Sequence, residues 1–309
     1  MSIRTLRFHR YGEPADVLQL DHVEPPEPAA DRIRVVVHAC GLNPADWALC
    51  RGLFAKALPR GIGLDVAGVV DAIGAGVTDV AVGDRVMGAA DFANAPIAGA
   101  GDAAILNHWA RVPASLDLVK AAALPMAIET AYRSIENLGV AANHTLVVSG
   151  AGTVIGFAAV QMARLRGARV IATAGDTYAE QLRGFGADVT PYGAGLADRV
   201  RALAGGDVDL VLDTAPPSGA IPELVKAAGG DPKRVLTISD LAGSKAAGAR
   251  HSFGESPKLY HSAYAQFVEL AAAGTFSVPI AQTYPLDDWR AAMTASLTGR
   301  ARGKLVLVP

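Results

Sequence analysis

From Thr145 to Ser149 the chain is β-branched or apolar up to its last residue, and beyond the glycines that follow, Ile155, Ala159, Met162 and Ala163 recur at the spacing of one helix face. Gly167 stands where that helix would stop, and a second apolar run fills 169–173. Runs at 209–213 and 235–239 repeat the signature with helical stretches between them, which predicts a parallel sheet with helices on both faces. The N-terminal part has another texture. Residues 4–112 are strand-rich and broken by Gly and Pro; Ile33, Val35, Val37 and Ala39 alternate with Arg34, Val36, His38 and Cys40, so one face is apolar and the other mixed. Short strands return at the C-terminal end and finish at 304–308, while 241–258, rich in Gly, Ser and Ala, reads as a mobile loop.

The turn between the first parallel strand and its helix reads "LVVSGAGTVIG". Gly150, Gly152 and Gly156 give G-x-G-x-x-x-G, one residue off the dinucleotide fingerprint, although the strand, turn, helix and strand setting that the fingerprint requires is present. A pyrophosphate approaches main chain only where Cβ atoms are missing, and is held by free N–H groups at the helix start. A βαβ unit that merely turns tightly on glycine fits the same residues.

Composition narrows the classes. A chain of 309 residues, 51% hydrophobic, suits two domains or one large one, and a net charge of −2 points away from nucleic acid and from a charged membrane surface. The N-terminal stretch has no apolar signal core and no run reaches transmembrane length, so a cytoplasmic protein without a membrane partner is expected. Cys40 and Cys50 are the only cysteines, too few for a disulfide framework.

Taken in order, "VVVHACGLNPADWALCRG", "GLDVAGVVDAIGAGVTDVAVGDRVMG", "AAALPMAIETAY", the glycine turn and "ARGKLVLVP" resemble the medium-chain dehydrogenase/reductase superfamily, and within it the zinc-independent quinone oxidoreductase branch. The resemblance implies an α/β chain with a GroES-like, β-rich catalytic domain from residues 1–122 and 273–309, and a Rossmann domain with a doubly wound parallel sheet over 123–272. It also bears on the turn, because the branch carries similar glycine-rich variants. Gly150, Ala151, Gly152, Thr153, Val154, Ile155 and Gly156 then bind cofactor, with Val154 where a glycine is usual. A β-branched residue there keeps φ negative and narrows the approach of the pyrophosphate.

Where alcohol dehydrogenases of the superfamily carry the first two ligands of a catalytic zinc, this chain has Asn43 and Leu64. No cysteine falls where a structural zinc lobe would lie, and the histidines show no ligand spacing, so no metal is expected. Without a Lewis acid, hydride addition to a plain carbonyl is harder than conjugate addition, whose charge spreads into an enolate or hydroquinone anion. The resemblance puts Asn43 beside the nicotinamide ribose, Asp46 after it in an N-x-x-D pattern, and Thr130 facing the nicotinamide. As plain structure, Asn43 and Asp46 cap a loop after a strand and Thr130 packs inside a helix. Asp65 stands where zinc enzymes have a Glu, and its residue-level reading is a buried Asp bonded to backbone amides. Ala48 and Phe54 replace tyrosines of the quinone pocket, leaving water to protonate the product.

Cofactor choice turns on the end of the second strand, where NAD-preferring relatives carry an acid. Here that place is Ala174, followed by Gly175 and Asp176; Ala179 replaces a phosphate-binding Lys, while Tyr192 and Arg183 are candidates to cover the adenosine. Room for a 2′-phosphate favours NADPH, with NADH possible through repulsion by Asp176. Two functions follow: a reductase of small-molecule quinones or enones, or a low-turnover nucleotide-binding structural or regulatory protein. The resemblance further implies a homodimer, and 234–240, "RVLTISD", reads as the edge strand that would pair across it.

Overall fold

A computed structural model describes residues 2–255 and 258–309; Met1, Ser256 and Pro257 lie outside the described residues, and with the last two goes part of the expected 241–258 loop. The chain divides into two compact units, one of residues 1–126 and 261–309, the other of 127–260.

The first unit is built on a six-stranded sheet in the order Ile280–Pro285, Lys304–Val308, Ile33–Leu42, Asp65–Ile73, Arg85–Ala90 and Ala103–Arg111. Ile33–Leu42 also pairs with Ala103–Arg111, which closes four of the strands on themselves. The predicted alternation holds from Ile33 to Ala39: Ile33, Val35 and Val37 are buried in one core with Val66, Val70, Val86 and Leu106, and Ala39 is buried too, while Val36 points out at 52% exposure; it ends at Cys40, expected on the mixed face but fully buried in a second core. Each such valine or isoleucine, fully buried, contributes about 1.5–3 kcal/mol. The C-terminal strand Lys304–Val308 lies antiparallel to Ile33–Leu42 with Leu305 opposite Leu42, so the last strand of the chain joins a sheet begun near residue 33. A second core gathers Leu6, Phe8, Trp47, Leu49, Trp289 and Leu305.

The second unit holds six strands, all parallel, in the order Asp188–Thr190, Arg169–Thr173, Thr145–Ser149, Leu210–Asp213, Val235–Thr237 and Arg250–His251. Leu146, Val147, Val148, Val170, Ile171 and Ala172 are fully buried, as strands covered on both faces must be. The chain runs outward from Thr145–Ser149 in both directions, so this strand is the topological switch point, and ligands of open parallel sheets bind off its carboxyl end.

Three expectations are corrected. The stretch 234–240 is not an edge: Val235–Thr237 is hydrogen-bonded on one side to Leu210–Asp213 and on the other to Arg250–His251, which is the edge. The second domain boundary lies at 260/261 rather than 272/273, because helix Ala263–Ala272 buries Ala263, Tyr264, Phe267 and Val268 and packs on strand Ala103–Arg111 of the first unit. Finally, the described part of 241–258 is structured, forming helix Leu241–Ala247, strand Arg250–His251 and the 3-10 turn Ser252–Gly254.

Candidate functional site

The glycine turn leaves the switch-point strand at Gly150, whose φ of +71° favours glycine and whose absent Cβ would stand 2.6 Å from the Ala215 nitrogen. Thr153 caps helix Val154–Leu165: its Oγ1 accepts from the Gly156 N–H at 3.0 Å and its hydroxyl donates to Thr214 Oγ1 at 3.1 Å. Thr214 in turn donates to the carbonyls of Ser149 and Gly150 at 2.8 and 3.0 Å. Gly156 lets the helix close on the turn, since a Cβ there would meet the Gly150 oxygen at 2.4 Å. Gly152 differs from both, because its nearest neighbour would be Tyr178 Cδ2 at 3.7 Å. One face of the turn is thus open main chain. Ala151 is buried with its amide on the Thr173 carbonyl, whereas Val154 and Ile155, half-buried in the first helical turn, have no intrahelical acceptor for their N–H groups. Val154 begins the helix and its φ is not positive, the geometry expected of a β-branched residue.

Beside the turn, Ala174 is buried at the end of strand Arg169–Thr173 and Gly175 caps helix Asp176–Gly184. Asp176 opens that helix in solvent, and Tyr192, 66% exposed, sits 3.6 Å from where a Gly175 Cβ would be. Arg199 fixes the Tyr192 loop by donating to the carbonyls of Ala194 at 2.6 Å and Pro191 at 2.9 Å, a clamp that sequence reasoning missed because it joins a helix to a loop without a motif. Arg183 lies seven residues after Asp176, about 10 Å along the helix, and is not brought to the Gly175 end.

In the first unit, strand Ile33–Leu42 runs into Asn43, the N-cap of helix Pro44–Cys50. Asp46 is fully buried, and its carboxylate accepts from the amides of Asn43 and Gly63, both at 2.7 Å, and of Leu64 at 3.0 Å. Burial pushes this carboxyl up to about 6 although the Asn43 and Gly63 amides pull the other way. Asp65 is likewise buried; one oxygen accepts from the Met126 amide at 2.9 Å, the other from Asn43 Nδ2 at 3.1 Å and from Lys304 Nζ at 2.6 Å. Lys304 completes the ring by donating to Asn43 Oδ1 at 2.5 Å. Sequence reasoning missed Lys304 as a member of this buried network.

Thr130, on helix Pro125–Leu138, is mostly buried, its hydroxyl 3.4 Å from Glu129 Oε2 and its carbonyl accepting from the Ser134 hydroxyl at 2.7 Å. Glu129 pairs with Arg133 at 2.8 Å, and Arg133 also binds the Ser252 hydroxyl, a buried ion pair that the sequence did not suggest. Phe54 is exposed with a φ of +51°; its carbonyl accepts from buried Arg60 at 2.9 Å, and the same guanidinium bonds to the Phe92 carbonyl.

Cys40 and Cys50 are free and buried, and burial pushes the Cys50 thiol up to about 12. Among the described residues no three His, Cys, Asp or Glu side chains gather to hold a metal, and no helix is long and apolar enough to cross a membrane.

The alcohol dehydrogenase GroES-like domain matches residues 29–123, and the zinc-binding dehydrogenase domain matches residues 185–307. An erythronolide synthase of Saccharopolyspora erythraea is 38% identical over 193 residues, 60% of this chain but 5% of that protein. The quinone oxidoreductase of Homo sapiens is 34% identical over 180 residues, 56% of this chain and 53% of its own length, so the match spans about half of that relative. Among solved structures, the Escherichia coli quinone oxidoreductase complexed with NADPH superposes with a TM-score of 0.80 at 24% identity, over 99% of this chain and 100% of that one, a likeness of fold.

Proposed function

Because the chain belongs to the medium-chain dehydrogenase/reductase superfamily, we propose that it is a zinc-independent oxidoreductase that uses a reduced nicotinamide dinucleotide, NADPH in preference to NADH, to reduce a quinone or an α,β-unsaturated carbonyl. The observation that carries this reading is the turn at the switch point, open at Gly152 and followed by the first helical turn at Val154 and Ile155, whose amides have no intrahelical acceptor. Gly150 to Gly156 would hold the pyrophosphate, and Ala174, Gly175, Asp176 and Tyr192 the adenosine end. The small side chain of Ala174 leaves room beside the ribose. Asp176 stands in solvent, where a charge pair about 4 Å apart costs about 1 kcal/mol rather than the roughly 4 of a half-buried site. That penalty is small enough for NADPH to remain preferred.

A bound reduced nicotinamide supplies the hydride. Asn43 Oδ1 and the Thr130 hydroxyl are the polar atoms assigned to orient the reacting end. Asp46, with both oxygens on main-chain amides, fixes the loop that carries Asn43. The oxygens nearest the place of a first zinc ligand, Asn43 Oδ1 and Asp65 Oδ2, already accept from the Lys304 ammonium, which supports chemistry without zinc. Conjugate addition suits such a site, because hydrogen-bond donors and water suffice for a delocalised enolate or hydroquinone anion. Ala48 and Phe54 carry no hydroxyl, so the product proton comes from water.

The same missing hydroxyls favour a second reading, a nucleotide-binding protein of low turnover. The test is to titrate the protein with NADPH and NADH, then to follow loss of reduced-nicotinamide absorbance with a generic quinone and a generic enone. Tight binding without oxidation would leave the binder; no binding of either dinucleotide would sink both readings.

A further inference from the structure

Between helix Pro44–Cys50 and strand Arg60–Gly61 the chain makes a nine-residue loop, 51–59, that carries apolar side chains into solvent. Leu53 is 38% and Phe54 52% exposed, and Ala55, Lys56 and Ala57 are exposed after them. Three apolar residues in a row thus face outward, a pattern that surfaces avoid unless it has a use.

The loop is held in this shape from several sides. The Tyr11 hydroxyl brackets Lys56, donating to its carbonyl and accepting from its amide, both at 2.7 Å. Buried Arg60 donates to the Phe54 carbonyl at 2.9 Å and to the Phe92 carbonyl at 3.1 Å, and the Leu53 amide bonds back to the Ala48 carbonyl at 2.9 Å. Phe54 has a φ of +51°, which is costly for a bulky side chain and persists only where the surroundings over-determine it. Its ring leans on Phe92 at 6.3 Å and leaves half its surface outside.

Charge around the tip has one sign. No acid occurs from 47 to 64, in a chain that has 30. Of the three cations in that stretch, Arg51 pairs with Glu13 at 2.8 Å; exposed Lys56 and buried Arg60 have no acidic partner among the described residues. The net charge of −2 argues against attraction over the whole surface, but this loop carries a local charge of the opposite sign. What fits it is apolar, anionic and able to receive a narrow protrusion. A stable protein interface takes about 800 Å² from each partner, far more than one phenyl and one isobutyl group offer. A lipid headgroup layer asks for less, since it receives single apolar side chains at shallow depth and draws a flanking lysine to its anionic heads.

We propose that loop 51–59 is an interfacial anchor, in which Leu53 and Phe54 dip into the headgroup region of an anionic bilayer and the Lys56 ammonium meets the lipid head. One shallow anchor gives weak, reversible attachment and needs no spanning segment. The inference goes beyond the function proposed above and does not depend on it.

Flotation of the full chain with vesicles of pure phosphatidylcholine, and of phosphatidylcholine with about one third phosphatidylserine, reads the attachment. Wild type should float with the anionic vesicles, come off as salt rises, and bind the neutral ones about tenfold less. Phe54→Gly removes the ring and suits the positive φ, so its melting temperature should hold or rise while its partition falls about tenfold; Leu53→Ser should fall by a similar factor. Lys56→Glu should lose about tenfold on the anionic vesicles and little on the neutral ones. Wild type that floats with neither vesicle, or undiminished attachment of a folded Phe54→Gly protein, would overturn the proposal. So would loop-dependent self-association without lipid, which would give the tip to a second copy of the chain.

Discussion

Gly152→Ala separates a cofactor cradle from a tight turn, because the three glycines of the turn stand in different surroundings. At Gly152 a new Cβ meets nothing nearer than Tyr178 Cδ2 at 3.7 Å, an ordinary contact, and its φ is not in the left-handed region. The fold should be unharmed, or more stable by about 0.4–1 kcal/mol through the smaller entropy of the unfolded chain. A pyrophosphate lying on this face would meet the methyl directly, and crowding of that kind costs about 1–3 kcal/mol. Taking about 2 kcal/mol, the dissociation constant for NADPH should rise roughly 25-fold. Gly156→Ala is the counterpart: its Cβ would lie 2.4 Å from the Gly150 oxygen and 2.6 Å from Thr214 Oγ1, so the helix must shift and the melting temperature should drop by several degrees. Calorimetric titration with NADPH and a thermal scan on each variant supply the data. An unchanged dissociation constant in a folded Gly152→Ala protein would refute the reasoning, since nothing would then lie against the open main chain.

Asp176→Ser should move the ratio of affinities toward NADPH, modestly because Asp176 is solvated; a ratio that does not move would show that this carboxylate does not face the ribose. Thr237→Pro should prevent folding rather than release monomers, since Val235–Thr237 is an interior strand and the Thr237 hydroxyl also bonds to buried Asp213 at 3.0 Å; a soluble, native-like variant would contradict the observed pairing. The rings of His108 and His261 stack at 3.8 Å, and burial together with its neighbour pushes His261 from 6.5 down to about 4. A lowered folded value means stability present above pH 6.5 and lost as pH falls through about 4, so the melting temperature should decline across that window. Asp46, held up near 6, acts in the opposite sense in both wild type and His261→Phe, so a decline equally steep in that variant would clear the pair of any role.

The parallel sheet is legible because strands covered on both faces have to be apolar throughout. Thr145–Ser149 and Arg169–Thr173 stand in the structure where the sequence puts them. Its true edge is not legible. Arg250–His251 is a two-residue strand, charged and half-buried, with no alternation to mark it, so the apolar run before it reads as the boundary of the sheet. The domain boundary fails for a related reason: helix Ala263–Ala272 has an apolar face, but its sequence does not say which unit that face covers.

The turn and the buried network differ in the same physical respect. Gly150, Gly152 and Gly156 stand within seven residues of one another, and Gly156 meets Gly150 and Ala151 directly, so their spacing shows in a short window even though Ala215, Thr214 and Tyr178 are the distant neighbours. The Lys304 bonds to Asn43 and Asp65 span 261 and 239 residues and depend on the register between the two ends of the chain. Local patterning sees only half of each partner, a cap-like Asn, an Asp that reads as buried on backbone amides, a Lys before an apolar run, and joins none of them to the others. Two signals point the other way. Strand Lys304–Val308 is apolar except at its first residue, and strand Ile33–Leu42 contains a glycine, Gly41, that weakens it without making a turn. A glycine inside one strand and a charge at the start of another are each costly alone. Paired across one register they explain each other, since the glycine vacates the volume through which the lysine reaches two buried oxygens.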